Sequence, residues 1–585
     1  MYLASDAVPL HYARAVERAA SDPKKAMPDE PVTGGGLIAE ALEAVGVEIA
    51  FGIVSVHNLP ILDAMNARGR IRFVPTRNEA GATSMADGYA RATGRLAAVI
   101  SSTGPGAANT IGSLLEAQVA GSPVLHVTGE IPSHLIGRGG GSVHDSRDQH
   151  GVLASVSKAI FRVGSPQRIP SLVAEAAETA LAPPMGPVTI EVPIDIQKRK
   201  VPRPGDADTF KPGSPALPPQ SEAIDRLARC LEDKRRVIIW SGSGAAGAGN
   251  AIRRLLNLGM GHVSSIHGRG VIPEDDPRSL GAFNIEKPIL DFYESCDAMI
   301  VVGSRLRGHE TRDFTVALPE DRHIVDVDLD ADGRTYSRTT FTRGDAAMVL
   351  DGLADRLVDR FRPDPLFHAD LVATRAVAVN RYMSLLGPYG EFCAALRAAT
   401  PKEAVWVRDI TISNTAWGNR LFPVFTPRDN IYPVAAGIGL GLPLAIGAAL
   451  GAGRPVLCMS GDGGLCVNLA EMLTAVDQNA AFVLLVMNDR GYGIIRNIQD
   501  SQFGGRRFYA DVRPPDIGAF CRSIGADHRR IASLDDVGPV VGDAFADLRG
   551  LKVVELDMAA FGEFSKAFPA PPVDHNANAG QRHGQ

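Results

Sequence analysis

Two stretches of this sequence have the residue types and spacing of a metal and phosphate site, and a third offers a proton-carrying acid. The first is Gly461-Asp462-Gly463-Gly464, which follows the apolar run Val456 to Met459 and precedes a helical pattern from Leu465 through Glu471 to Val476. A glycine turn between a strand and a helix lets backbone N–H groups approach a phosphate, and the helix N-terminus favours the anion. Asp462 supplies a hard oxygen for Mg2+ or Ca2+. The second is Asn488-Asp489, which closes the next strand 27 residues beyond Asp462. Parallel strands joined by one crossover helix end at the same sheet edge, so Asp462 and Asp489 should meet there. The acid is Glu79, at the start of a helical segment that runs through Met85, Ala86 and Tyr89. Taken alone, a glutamate in a helix's first turn complements the dipole, and a single GDG turn need only serve packing.

The elements that must position these groups are short apolar strands alternating with helical patterns from about residue 31 to 560, as in parallel α/β sheets. Proline-rich Lys198 to Pro219 and the Arg362-Pro363-Asp364-Pro365 run divide the chain. We expect a tail over 1–30, domains over 31–197, 220–365 and 375–565, a linker over 198–219, and a second tail over 571–585. Each domain is expected to be a doubly wound parallel sheet. The 585 residues are too many for one core. A net charge of −6 without long single-sign runs suggests neither a nucleic-acid partner nor a membrane surface. The apolar stretch Val434 to Ala452 is broken by glycine and proline, and reads as buried backbone. Residues 1–31 lack the apolar run of a signal peptide, and six scattered cysteines without a CxxC pair fit a reducing cytoplasm.

The GDGG turn, the following 23 residues and Asn488-Asp489 together resemble the thiamine diphosphate signature, in which the second of two asparagines is here an aspartate. The segment from Asn78 to Gly94 is similar to the same region of acetolactate synthases, as are Thr103 to Asn109, Pro123 to Glu130, Gly186 to Asp195 and Ala435 to Pro443. The resemblance covers about residues 31 to 565. It implies a pyrimidine-binding, a middle and a diphosphate-binding domain, in that order. It also implies that Asp462, Asp489 and the Gly491 carbonyl hold Mg2+, with Gly461, Gly463 and Gly464 at the diphosphate and Ser413 and Asn414 beside it. Ile438 would wedge the cofactor into a bent shape, the Ala436 carbonyl would accept from its 4′-amino group, and Glu79 would hydrogen-bond N1′. The reaction implied is decarboxylation of a 2-oxo acid through an enamine, ending in aldehyde release or in carboligation to a second carbonyl. A homodimer or homotetramer is implied, because the site forms between subunits. The alternative is a cofactor-binding protein of the same fold without turnover.

Three departures from acetolactate synthase set the substrate side apart. Gly52-Ile53-Val54-Ser55-Val56-His57-Asn58 stands where the family has a Pro-Gly-Gly turn, and His144-Asp145-Ser146 replaces a Phe-Gln-Glu. Both changes resemble a branch that includes 5-guanidino-2-oxopentanoate decarboxylases. A pair of His57 and His144 could carry the proton that ends a decarboxylation, although each alone reads as a loop-packing residue. The flavin-binding run is replaced by Arg305-Leu306-Arg307-Gly308-His309. Gly242 to Gly247 spells GxGxxG, but no acidic residue ends the strand near Val263 to Ile266. We read it as close strand–helix packing, the alternative being a nucleotide such as FAD.

Overall fold

The computed structural model describes residues 31–203, 216–329 and 336–562. The expected tails over 1–30 and 571–585, and residues 204–215 of the expected linker, lie outside the described residues. Three parallel sheets follow one another along the chain. In spatial order the first contains Arg72–Pro75, Ile49–Gly52, Ala97–Ser101, Val124–Glu130, Val188–Pro193 and Ala159–Arg162. The third contains Asn430–Ile431, Val405–Arg408, Val456–Gly461, Phe482–Asn488, Leu551–Asp557 and Asp527–Ile531. Numbered within its own domain, each of these sheets runs second, first, third, fourth, sixth, fifth. The middle sheet has five parallel strands, with Val237–Ser241 between Gly261–Ser264 and Ala298–Val302. In every sheet the strand order therefore reverses between the first and third strands, and loops leaving those strands open a crevice at the sheet's C-terminal edge.

Burial explains why the strands read as unbroken apolar runs. Ala97–Ser101, Val237–Ser241 and Ala298–Val302 are buried at every residue, because helices cover both faces. The first and third domains share one core, in which Met85, Ala86 and Tyr89 meet Leu444, Ala445 and Ala448. Here the helix Glu79–Thr93 packs on the helix Gly441–Gly451. Their backbones come so close that a Cβ on Gly88 would overlap the Leu444 carbonyl, and one on Gly447 the Met85 carbonyl. The Val434 to Ala452 stretch is thus a loop and a helix inside this core, and no helix among the described residues is long and apolar enough to cross a membrane.

One helix differs from its sequence pattern. The helix expected from Leu465 to Val476 begins instead at Asp462, with Gly461 as its N-cap, and ends at Val467. A second helix resumes at Glu471 and runs to Asp477. The break falls at Asn468, whose side-chain amide donates to the Gly439 carbonyl at 2.8 Å. That tertiary bond ties the turn to the loop before the Gly441 helix, and no local periodicity encodes it.

Candidate active site

A cavity of about 340 Å³ opens at the C-terminal edge of the third sheet, where the strand order reverses. Its walls come from the ends of, or the segments that follow, the first, second, third, fourth and sixth strands of that domain and include Ser413, Ile438, Gly461, Gly464, Asp489 and Gly491. Asp462 is fully buried beneath it. Its Oδ1 accepts the Asp489 N–H at 3.2 Å, while Oδ2 is buried with no partner. Burial pushes Asp489 up to about 7, with the Asp462 carboxylate adding to the shift and Arg496, 3.2 Å from Oδ1, opposing it. Burial also raises Asp462. The Gly491 carbonyl faces the same turn, since a Cβ on Gly463 would stand 3.0 Å from it. No three His, Cys, Asp or Glu side chains converge among the described residues. A cation here would therefore take two carboxylates and complete its shell from carbonyl, phosphate and water oxygens.

Ser413 and Asn414 part company. The Ser413 hydroxyl lines the cavity and is buried without a partner. The Asn414 side chain is turned to the interior, where its Oδ1 accepts from Arg408 Nε at 2.9 Å. Ala436 lies in the left-handed region at φ 64°, an uncommon conformation for a residue with a Cβ. Ile438 is 40% exposed in the cavity wall, not packed in a core. Two acids that sequence reading missed hold this loop. Asp409 accepts from the Gly439 N–H at 2.9 Å and from Ser460 Oγ at 3.0 Å, so it joins the loop to the strand before the GDGG turn. Glu116, on the first-domain helix Ile111–Ala120, accepts the N–H groups of Val434 and Ala435. An acid between Leu115 and Ala117 in an apolar helical run was the available signal.

Glu79 is buried at the start of its helix, with Asn109 Nδ2 donating to Oε2 at 3.0 Å. Glu471 of the third domain fixes this helix end by accepting the N–H groups of Arg77 and Asn78 at 3.1 and 3.0 Å. Within the first domain, the loops after the first and fourth strands bring His57 and His144 together, with ring centroids 5.1 Å apart. Burial, then the neighbouring His144 and Lys198, lowers the pKa of His57. Val56 is exposed beside it, as is Arg147 farther along the second loop. In the middle domain, a Cβ on Gly242 would overlap the Gly303 carbonyl, and one on Gly244 would stand 2.8 Å from Gly303 Cα. Those two glycines serve close packing across the crevice.

Comparison with known proteins gives three family matches in the same order as the sheets. The N-terminal TPP binding domain of thiamine pyrophosphate enzymes matches residues 32–152, the central domain 224–353 and the C-terminal TPP binding domain 412–556. The probable 2-ketoarginine decarboxylase of Pseudomonas aeruginosa is 30% identical over 544 residues, covering 90% of this chain and 94% of that protein. The probable acetolactate synthase large subunit of Methanocaldococcus jannaschii is 28% identical over 539 residues, 86% of this chain and 88% of its own length. Acetolactate synthase isozyme 1 large subunit of Escherichia coli is 28% identical over 497 residues, 83% and 86% of the two chains. An X-ray structure described as a thiamin diphosphate-dependent enzyme from Mycobacterium smegmatis shares the fold at a TM-score of 0.75 and 20% identity, covering 90% of this chain and 99% of that one.

Proposed function

The chain belongs to the thiamine pyrophosphate enzyme family, and from that premise we propose that it decarboxylates a 2-oxo acid and releases the product as an aldehyde, with Mg2+ holding the cofactor. The unpartnered Asp462 Oδ2, the unpartnered Ser413 hydroxyl and the raised Asp489 fit such a group, because a cation and a diphosphate would satisfy all three. Asp462, Asp489 and the Gly491 carbonyl would hold the metal. The N–H groups of the Gly461–Gly464 turn and Ser413 would hold the diphosphate, and Asn414 would support this wall through Arg408. Ile438 would bend the cofactor, and the left-handed Ala436 would present its carbonyl to the 4′-amino group. When bound, thiamine diphosphate supplies a carbon nucleophile and an electron sink for departing CO2.

The protein's own contribution is proton handling and shielding from water. Glu79 holds a proton at its carboxyl for N1′ of the pyrimidine, a relay of general acid–base type. His57 and His144 deliver the proton that completes the aldehyde. The observation carrying this choice is their 5.1 Å ring separation in one crevice. The cavity is lined only by third-domain residues while Glu79 belongs to the first, which supports a site completed by a second copy, in a homodimer or a tetramer of two dimers. Six free cysteines support a reducing, cytoplasmic setting. The glycine packing around Gly303 supports a middle domain that needs no FAD.

The test is a panel of 2-oxo acids, from pyruvate to 5-guanidino-2-oxopentanoate, assayed with thiamine diphosphate and Mg2+ for CO2, aldehyde and ligated product. Aldehyde in step with CO2 is expected. Ligated product without free aldehyde would overturn the choice in favour of the second reading, carboligation, which rests on the relatives named acetolactate synthase.

A further inference from the structure

Two serines in the first-domain crevice have no part in the reaction as described above. Ser55 Oγ accepts the His57 N–H at 3.1 Å and donates its own proton to Ser102 Oγ at 2.6 Å. Having accepted from Ser55, Ser102 can turn its own hydroxyl proton to His144 Nδ1, 3.3 Å away. An imidazole nitrogen that accepts a hydrogen bond carries no proton, so with Ser102 as donor the neutral ring bears its proton on Nε2. Nε2 of His144 has no protein partner among the described residues. The arrangement is held against a cost: His144 sits at φ 67°, where a residue with a Cβ is strained. Its carbonyl lies where a Cβ on Gly104 would be, so glycine at 104 makes the approach possible. Ser102 itself is 5% exposed, and its carbonyl is fixed by Thr128 Oγ1 at 2.9 Å.

We propose that Ser102, backed by Ser55, is a positioning residue that locks His144 in the Nε2–H tautomer and so makes Nε2 the proton donor to the reacting carbon. Nδ1 takes the Ser102 proton as Nε2 gives up its own, with Ser55 reprotonating Ser102 and solvent reprotonating Ser55. This rests on the reading of His144 as a proton donor. A ring free to carry its proton on Nδ1 would direct it back at the serine, and the carbanionic carbon would wait for another acceptor. Second carbonyls would then compete, and the product would shift from aldehyde towards ligation.

The first measurement needs neither cofactor nor variant: isotope-edited NMR of labelled histidines in the cofactor-free protein, with His144 identified by its loss in His144→Gln. The Nε2-protonated signature is expected, and an Nδ1-protonated ring would overturn the proposal. In Ser102→Ala the two tautomers should mix, while Ser102→Thr, which keeps the hydroxyl, should restore the single form. In the loaded enzyme, Ser102→Ala should lower the aldehyde fraction about tenfold at unchanged KM. Ser55→Ala should act in the same direction more weakly. A wild-type product ratio preserved in Ser102→Ala would sink the proposal even if the variant were fully active. A wild-type enzyme that releases no aldehyde would instead remove the decarboxylase reading, leaving the tautomer result to be judged alone.

Discussion

Asp462 and Asp489 meet at the cavity, where burial raises both and the Asp462 carboxylate makes Asp489 harder still to ionise. Asp489, pushed up to about 7, still holds a proton over much of the neutral range in the metal-free protein. A cation must displace that proton. Mg2+ affinity should therefore climb as pH rises towards about 7 and level off above it, and calorimetry in buffers of different ionisation enthalpy should detect a proton released on binding. Asp489→Asn should weaken binding and flatten this dependence; a steep dependence persisting in the variant would assign the proton elsewhere. Glu79→Gln should lower CO2 release by about a hundredfold or more while the protein still binds Mg2+, and unchanged turnover would remove its assigned role. These residues were legible because their chemistry is local: a GDGG turn, a strand-end aspartate, a helix-start glutamate. Asp409, Glu116 and Ser102 were not, because each acts through a partner far away in the sequence that only the folded sheet edges bring near.

At the scale of elements, the loop carrying Ala436 and Ile438 is held from two sides, by Asp409 in its own domain and by Glu116 across the domain boundary. Burial, with the Asp87 charge beside it, pushes Glu116 up to about 7, from an ordinary value of 4.5. A carboxyl whose folded pKa is raised binds more protons folded than unfolded across that window, so its contribution to stability falls as pH rises from about 4.5 to about 7 and is constant above. Glu116→Gln removes that loss. Urea unfolding at about pH 5 and about pH 8 should show the variant gaining on wild type by roughly 2–3 kcal/mol between the two. Its affinity for thiamine diphosphate should nevertheless fall, because one amide of the loop loses its charged acceptor. Gly447→Ala tests the helix crossing: an added methyl would overlap the Met85 carbonyl, and a loss of about 2 kcal/mol or more is expected in thermal unfolding. Strand positions were readable from apolar runs, as with Ala298–Val302, whereas the helix break at Asn468 was not, since a tertiary hydrogen bond decides it.

For the whole molecule, the repeated strand order gives the first and third domains equivalent crevices, and the two have been put to different uses. The third-domain crevice is an open cavity with unsatisfied oxygens, fit for an anion and a cation. Across the first-domain crevice its own loops meet, bringing His57 and His144 together beside Ser102. The alternation of strands and helices made three such sheets foreseeable; which crevice stayed open depends on loop side chains that no periodicity reports. A reaction that needs Glu79, the histidines and the Asp462 pair must combine crevices from both kinds of domain. Subunit mixing decides whether they come from different copies. Glu79→Gln and Asp462→Asn should each be nearly inactive alone. If each site takes its first domain from one copy and its third from another, a mixed dimer of the two variants contains one site with both residues intact and one with neither. Activity should then reappear once the subunits exchange, and its growth should follow the exchange measured independently by native mass spectrometry. A mixture that stays inactive while mixed dimers are present would show that one chain builds its site alone.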